Sequence, residues 1–226
     1  MTSQPHPRSE ANPAPGRPPL RLFLIRHGET EWSLSGQHTG RTDIGLTANG
    51  ERAARELGRR LRGISFTRVV TSPLLRARRT CELALPAAGF EVEPDLAEWD
   101  YGGYEGRTSA EILEERPGWN LFRDGAPDGE APGQVGARAD RLLVGLRALQ
   151  GNVALFSHGH FSRVLAARWI GLPVARAQHF LLATASLSIL AYEHERTDRP
   201  VIALWNSQAG EPPVLATRGL RGGARP

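Results

Sequence analysis

The chain contains no lysine, and all 28 of its Lys and Arg positions are arginine. Its one cysteine, Cys81, excludes a disulfide within the chain and is compatible with a reducing compartment. No apolar run approaches the roughly 20 residues that a membrane-spanning helix needs. The amino end also lacks the apolar centre of a secretion signal. From these absences we expect a cytoplasmic protein with no membrane partner.

The charge of the chain is nearly balanced. Its 28 arginines stand among 24 acidic residues, which gives a net charge of +4 at pH 7 with neutral histidines. Nucleic-acid-binding proteins usually cluster their basic residues on one face. Because the arginines here are spread along the chain, we expect no nucleic-acid partner. Guanidinium groups match the geometry of phosphate oxygens, so the composition favours a small phosphorylated ligand.

The chain is long enough to bury one substantial core. With 226 residues and 40% hydrophobic content, it is expected to form a single domain over residues 21–207. Residues 1–20 are rich in proline and polar side chains, and we predict a disordered tail there. Residues 208–226 are predicted to form a loose C-terminal tail. These features leave the oligomeric state undetermined.

Short apolar runs alternate with amphipathic segments along the predicted domain. Strands are predicted at 22–26, 66–71, 90–93, 152–157, 187–192 and 201–205. Helices are predicted to start at a Thr47 cap, at Ser72 and Pro73, at a Thr108 and Glu111 capping box, near residue 135 and after residue 158. This alternation predicts a three-layer α/β fold, with a mostly parallel central sheet and helices on both faces.

Two stretches between these elements are predicted to be irregular. Residues 32–43 are expected to form a glycine-containing loop. Residues 118–133 are polar and rich in Gly and Pro, and they are long enough to act as a lid over a site. Cys81 falls within a helical pattern, where we expect a buried, apolar role.

Polar residues with chemical potential follow the predicted strands. Arg26 and His27 come directly after the first strand, Arg76 lies in the helix after the second, and Glu98 and His158 follow later strands. In an open α/β sheet these positions meet in one crevice. A histidine there is a candidate nucleophile, arginines bind phosphate oxygens, and a carboxylate is a candidate proton donor. The sequence therefore predicts a site for a phosphate dianion.

The pair His158 and His160 has a second interpretation, since His-x-His occurs at zinc sites. No cluster of Asp or Cys completes a coordination sphere, so we expect no metal and no other cofactor. His160 is then a residue of the pocket wall or a helix cap. Arg78 and Arg79, which follow Arg76, are interpreted as a solvated face.

Together these motifs resemble the histidine phosphatase superfamily, in its phosphoglycerate-mutase-like branch. The resemblance spans about residues 22–205 and rests on four ordered elements: Arg26-His27-Gly28-Glu29-Thr30, Ser72-Pro73-Leu74-Leu75-Arg76-Ala77, Glu98-Trp99-Asp100-Tyr101, and Ser157-His158-Gly159-His160. It implies that His27 becomes phosphohistidine, and that Glu98 protonates the leaving oxygen and later activates water. Arg26, Arg76 and His158 would hold the phosphoryl oxygens.

Within the superfamily, the chain most resembles the fungal-type sedoheptulose 1,7-bisphosphatase subgroup. This resemblance implies a set of substrate-binding positions: His38, Thr39, Tyr101, Gly159, His160, Arg163 and Ser186. The chain departs from the subgroup at Thr184-Ala185-Ser186, where the subgroup has glycines. The size of the accepted substrate is therefore open.

The resemblance implies a metal-independent phosphatase that acts through phosphohistidine on small phosphomonoesters, such as sugar phosphates or sedoheptulose 1,7-bisphosphate. Two alternatives stay open at this point. One is a phosphoglycerate mutase, although such mutases have Asn where this chain has Ser33, and carry insertions that it lacks. The other is a non-catalytic module that binds phosphorylated ligands, although such a module has no need of Glu98.

Overall fold

The computed structural model describes residues 18–208, which contain one six-stranded sheet. Its strands are β1 (Arg21–Arg26), β2 (Arg68–Thr71), β3 (Glu91–Val92), β4 (Asn152–Ser157), β5 (Leu187–Tyr192) and β6 (Pro200–Ser207). They lie in the order β3-β2-β4-β1-β5-β6, in which the first four are parallel, β5 runs antiparallel to β1, and β6 runs antiparallel to β5 and so returns to the direction of β1. The predicted mostly parallel sheet is confirmed.

Helices cover both faces of this sheet. They are α1 (Glu31–Ser35), α2 (Ala48–Arg60), α3 (Leu75–Ala84), α4 (Ser109–Glu115), α5 (Leu121–Asp124), α6 (Pro132–Arg147) and α7 (Gly159–Trp169). In β1, Leu22 and Leu24 pack into the core shared with α6 and α7, whereas Phe23 and Ile25 pack into the core shared with α2 and α3. Successive side chains of a strand point to opposite faces, so one strand serves both cores. The three-layer α/β prediction is confirmed.

Local capping signals start two helices where they were predicted. The Thr47 hydroxyl accepts the N–H of Gly50 at 3.0 Å and caps α2. Thr108 and Glu111 form the reciprocal capping box of α4. In both cases the partner lies three residues along the chain, so the sequence alone contains the signal.

Two predictions about helix starts were wrong. Residues 31–35 belong to α1 and not to a loop, because Thr30 and Ser33 form a capping box that the sequence analysis overlooked. Helix α3 begins at Leu75 and not at Pro73. Leu74 has an extended backbone and is the N-cap residue, and the carboxylate of Asp43, 32 residues earlier in the chain, accepts the N–H of Leu75 at 2.6 Å.

The segment 118–133 is anchored in the fold. The side chains of Trp119, Leu121 and Phe122 are buried in the core beneath α5 and α6. Trp119 Nε1 also donates to the carbonyl of Gly125 at 2.8 Å. The segment was predicted to be irregular, but it contains α5, and these contacts anchor it to the core. Its movement as a lid stays a prediction.

Contacts of the fold begin before the predicted boundary at residue 21. The Gly151 N–H donates to the carbonyl of Pro18 at 2.9 Å, and Leu20 is buried. The rest of the two predicted tails, 1–17 and 209–226, lies outside the described residues.

Two expectations from composition have structural counterparts. Cys81 is fully buried, and this burial raises the pKa of its thiol to about 12. Within the part of the chain that the structure describes, no helix combines the length and the apolar character needed to cross a membrane.

Candidate active site

Neighbouring parallel strands end side by side at one edge of the sheet. Arg26 of β1 pairs with Ser157 of β4, and β2 lies on the other side of β4. The residues that follow, His27 and His158, therefore leave the sheet together, and their ring centroids are 5.2 Å apart. The structure thus brings the predicted strand-end residues to one place.

His27 is buried, and its ring has a defined orientation. Its Nδ1 lies 2.7 Å from the carbonyl oxygen of Gly28. A carbonyl can only accept, so Nδ1 carries the proton and Nε2 keeps a lone pair. Burial lowers the pKa of His27 well below its ordinary value, and the charges of Arg76 and Arg26 lower it further. The ring is neutral, which is the form that a nucleophile requires.

Arg26 and Arg76 are held in place by backbone carbonyls. Arg26 Nη1 donates to the carbonyl of Leu182 at 2.5 Å. Arg76 is fully buried and donates to three carbonyl oxygens within residues 39–42, at 2.9 to 3.0 Å. Among the described residues, the Nε atoms of both arginines have no hydrogen-bond partner. Buried donors of this kind favour an anionic ligand.

His158 is the N-cap residue of α7, and Ser72 orients its ring. Its Nε2 lies 2.7 Å from the Ser72 hydroxyl, and both residues are fully buried. Its Nδ1 has no partner within residues 18–208. A hydroxyl that donates to Nε2 leaves the ring proton on Nδ1, which can then donate to an anion. Burial, and then the charge of Arg76, lowers the pKa of His158 well below its ordinary value.

Glu98 is fixed at the amino end of α7. Its Oε1 accepts the N–H of Phe161 at 2.8 Å, and its Oε2 accepts the N–H of His160 at 3.0 Å. The N–H of Trp99 also donates to Oε1, at 2.9 Å. Unpaired N–H groups at a helix start suit a carboxylate. The backbone of a separate helix thus orients Glu98, an acidic side chain that lines the cavity beside His27.

These groups border a cavity of about 220 Å³. Its wall contains nine of the predicted site residues: Arg26, His27, His38, Thr39, Glu98, Tyr101, Gly159, His160 and Arg163. Gly159 makes room for the guanidinium of Arg26, since a Cβ there would lie 3.3 Å from Arg26 Cζ. Arg76 and His158 are fully buried beside His27. The charge of Arg76 lowers the pKa of His27, and the ring of His158 contacts the ring of His27.

His38, Tyr101 and His160 form a ring cluster in the cavity wall. The Tyr101 hydroxyl lies 2.6 Å from Nδ1 of His160, and the rings of His38 and Tyr101 are 4.7 Å apart. Burial lowers the pKa of His38 to about 4 and that of His160 well below its ordinary value. It also raises the pKa of Tyr101 well above its ordinary value. The ring cluster therefore offers hydrogen bonds without charge at neutral pH.

Arg163 adds a positive charge to the same wall. Its Nε and Nη2 donate to the carbonyls of Ala177 and Gln178, and its guanidinium lies 4.4 Å from the ring centroid of Phe122. Burial lowers its pKa to about 10, so the group remains charged at neutral pH.

The sequence analysis missed several residues of the cavity wall: Thr30, Trp32, Ser33, Gly36, Gln37, Ser109 and Leu182. Those from Thr30 to Gln37 lie between the first motif and His38, so their place in the chain was a usable signal. Ser109 and Leu182 carry no such signal, since only the packing of distant segments brings them to the cavity.

Ser186 does not line the cavity, contrary to its predicted contact with substrate. Its hydroxyl donates to the carbonyl of Ala183 at 2.6 Å, and Leu182 occupies this part of the wall. Ala185 has φ +52, a conformation that favours glycine, and its N–H donates to the carbonyl of His27 at 2.9 Å. This segment therefore supports the backbone of His27, and the Ser186 hydroxyl is already hydrogen-bonded to Ala183.

The two residues of the His-x-His pair have different hydrogen-bond partners. His158 is bonded to Ser72, whereas His160 is bonded to Tyr101. Over residues 18–208, no group of three or more His, Cys, Asp or Glu side chains is arranged to hold a metal ion.

A larger groove of about 790 Å³ lies at the opposite edge of the sheet, where β2 begins. Its wall is mostly apolar, with arginines at the rim; Arg55 and Arg68 are paired with Glu51 and Glu91. No His, Cys, Asp or Glu is among its lining residues. The smaller cavity is therefore the candidate active site, because chemistry and not volume distinguishes it.

Known proteins are similar to this chain in sequence and in fold. Residues 22–208 match the sequence profile of the histidine phosphatase superfamily (branch 1). An acid phosphatase of Mycobacterium tuberculosis is 40% identical over 200 residues, which cover 87% of this chain and 96% of the relative. A sedoheptulose 1,7-bisphosphatase of Saccharomyces cerevisiae is 33% identical over 249 residues, which cover 81% of this chain and 92% of the relative. The solved structure of an open reading frame product from Mycobacterium tuberculosis has a TM-score of 0.77 at 39% identity, covering 84% of this chain and 98% of that chain.

Proposed function

The chain belongs to the histidine phosphatase superfamily, and we propose that it hydrolyses small phosphorylated metabolites through a phosphohistidine at His27, without a metal ion. It is a phosphoric monoester hydrolase, like the phosphatases that it resembles. One observation carries the proposal. A neutral His27 with a lone pair on Nε2 lies close to the charges of Arg26 and Arg76, in the same cavity as Glu98.

In the first step, Nε2 of His27 attacks phosphorus, and the bond between phosphorus and the ester oxygen breaks. A protonated Glu98 gives its proton to that oxygen, so the leaving group departs as an alcohol. Arg26, Arg76 and the Nδ1–H of His158 hold the phosphoryl oxygens and stabilise the charge that develops on them.

In the second step, a water molecule attacks phosphorus of the phosphohistidine. The carboxylate of Glu98 takes a proton from the water, and the P–N bond breaks. Inorganic phosphate leaves, His27 becomes neutral again and Glu98 is protonated for the next cycle. Atoms and protons balance over the two steps.

For the substrate we propose a sugar phosphate or bisphosphate, such as sedoheptulose 1,7-bisphosphate. The uncharged ring cluster, with Gln37 and Ser109 in the same wall, suits a ligand rich in hydroxyl groups. The charge of Arg163 suits a second phosphate. The relative from Saccharomyces cerevisiae acts on such a bisphosphate by its name. We place this reaction in the cytoplasm, where phosphorylated sugars are made and consumed.

The test is phosphate release, with EDTA present, from p-nitrophenyl phosphate, sedoheptulose 1,7-bisphosphate, fructose 1,6-bisphosphate and 3-phosphoglycerate. The wild type should release phosphate and prefer a sugar bisphosphate. His27→Ala should lose at least about 10³-fold in kcat and should no longer incorporate acid-labile phosphate. The exposed His179, changed to Ala, serves as the matched control and should keep full activity.

Three outcomes would contradict the proposal. Full activity of His27→Ala would remove His27 from the chemistry. Dependence of turnover on a metal ion would overturn the metal-free mechanism. Isomerisation of 3-phosphoglycerate in the presence of bisphosphoglycerate, without net phosphate release, would establish the mutase alternative.

A further inference from the structure

Helix α6 carries an ion pair that belongs to no part of the chemistry described so far. Arg138 is 9% exposed, and its Nε and Nη2 donate to the carboxylate of Glu130 at 2.9 and 2.8 Å. Two parallel bonds between a guanidinium and a carboxylate define the orientation of both groups. The pair lies directly behind the segment that carries Glu98.

Arg138 also binds the backbone of that segment. Its Nη1 donates to the carbonyls of Asp95 and Ala97 at 2.9 and 2.7 Å, and its Nη2 donates to the carbonyl of Glu98 itself at 3.2 Å. A planar guanidinium can serve all of these acceptors at once, which a lysine ammonium on the same helix cannot do with the same geometry.

Glu130 holds the residues that follow Glu98. Its Oε2 accepts the N–H of Asp100 at 3.0 Å, and its backbone carbonyl accepts Nε1 of Trp99 at 2.8 Å. Its own N–H donates to the carbonyl of Asp100 at 2.9 Å. The backbone on both sides of Glu98 is therefore attached to one ion pair, in which Arg138 is buried and Glu130 is partly buried.

The same arginine touches the element that holds the carboxylate. Its guanidinium lies 4.3 Å from the ring centroid of Phe161, whose N–H donates to Oε1 of Glu98. Arg138 thus contacts the backbone of Glu98 and also one of the two α7 residues that orient its side chain.

We propose that Arg138, fixed by Glu130, is a positioning residue that places the Glu98 carboxyl for proton transfer to the leaving group. This inference rests on the proposed function, because it gives Glu98 the role of general acid. A displacement of a catalytic group by about 1 Å is enough to reduce a rate by about 10²-fold. Loss of the pair should therefore act through Glu98 and leave the phosphate-binding arginines unaffected.

The experiment compares single-turnover phosphorylation of Arg138→Met, Glu130→Gln and Glu98→Gln on two esters. One is p-nitrophenyl phosphate, whose leaving group needs no proton, and the other is glycerol phosphate, whose leaving group does. Arg138→Met and Glu130→Gln should lose about 10- to 100-fold in the single-turnover rate constant on glycerol phosphate, with a much smaller loss on p-nitrophenyl phosphate and an unchanged substrate concentration for half-maximal rate.

Arg141→Met is the matched control. Arg141 lies one turn further along α6, is largely exposed, and pairs only with the side chain of Asp95, at 2.7 and 2.8 Å. Its loss should leave both rates at the wild-type level. Circular dichroism and thermal unfolding establish that each variant is folded. Glu130→Gln preserves volume and backbone contacts, so it carries the test if Arg138→Met does not fold.

Two results separate this inference from the proposed function. If Glu98→Gln slows glycerol phosphate selectively while Arg138→Met and Glu130→Gln slow both esters equally, the positioning role is overturned. If Glu98→Gln itself slows both esters equally, the general-acid role in the proposed function fails.

Discussion

The reactivity of His27 depends on a neutral imidazole ring, which is kept neutral close to the positive charges of Arg26 and Arg76. Burial disfavours the imidazolium form, and the positive charges of Arg76 and Arg26 disfavour it further. All three effects lower the pKa of His27, so the neutral form persists into acidic solution. The two arginines therefore help to keep His27 in its neutral, nucleophilic form even when no phosphate is bound.

Titration of the phosphate-free enzyme tests this charge state. Imidazole ¹⁵N NMR, with His27 assigned from a His27→Gln spectrum, should show Nε2 unprotonated at pH 6, below the ordinary histidine pKa of about 6.5. Arg76→Gln removes the larger of the two charge effects and should raise the pKa of His27. A wild-type His27 that takes up its proton near pH 6.5 would contradict this account.

At the scale of elements, α2 supports the site through its first turn, although no residue of α2 lines the cavity within the described chain. The N–H of Thr47 donates to the carbonyl of Glu29 at 2.9 Å, and its hydroxyl donates to the Glu29 carboxylate at 2.6 Å. Gly50 makes this approach possible, since a Cβ there would lie 2.2 Å from the Glu29 carbonyl oxygen. The loop after His27 is therefore packed against the backbone at the start of α2.

Substituting alanine for glycine in two helices should have opposite effects. Gly145→Ala in α6 meets no atom within 4 Å, and should stabilise the protein by up to about 1 kcal/mol. Gly50→Ala in α2 should destabilise it by about 1 to 3 kcal/mol and lower kcat, because the new methyl group displaces the loop that follows His27. Guanidinium unfolding and phosphate release measure the two effects. Equal stabilisation by both changes would show that the close approach is unimportant.

Across the whole molecule as described, four histidines gather around one cavity: His27, His38 and His158 are buried, and His160 is partly buried. Burial is the largest cause of the lowered pKa in each of them. In the unfolded chain the same residues titrate near their ordinary pKa of about 6.5. Between the two pKa values the unfolded state binds more protons than the folded state, so stability falls as the pH falls.

His38 sets a window for this loss, from about pH 6.5 down to its folded pKa of about 4. It alone should cost about 2 kcal/mol of unfolding free energy between pH 6.5 and pH 5. Urea unfolding at pH 7.5 and at pH 5 should therefore show a clear loss in the wild type and a smaller loss in His38→Gln. The same pH dependence in both proteins would rule out His38 as a source.

The position at which the reactive residues leave the sheet could be predicted from local sequence. An apolar run marks β1, and the residues at its end, Arg26 and His27, must lie at the carboxyl edge because the strand fixes them there. The same argument places His158 after β4. Thr47 caps α2 through a partner only three residues away, so that signal is local as well.

The distant groups that contact these residues are set by the packing of the folded chain. Leu182 binds Arg26, Ser72 orients His158, and Arg138 holds the Glu98 segment, each across a separation in the chain that follows no repeat. Ser186 shows the converse, since the resemblance to the sedoheptulose 1,7-bisphosphatase subgroup implied a substrate contact, but Ser186 does not line the cavity and its hydroxyl donates to the carbonyl of Ala183. The charge states of the histidines also depend on packing. An imidazole is desolvated by the complete fold and not by the residues next to it in the sequence.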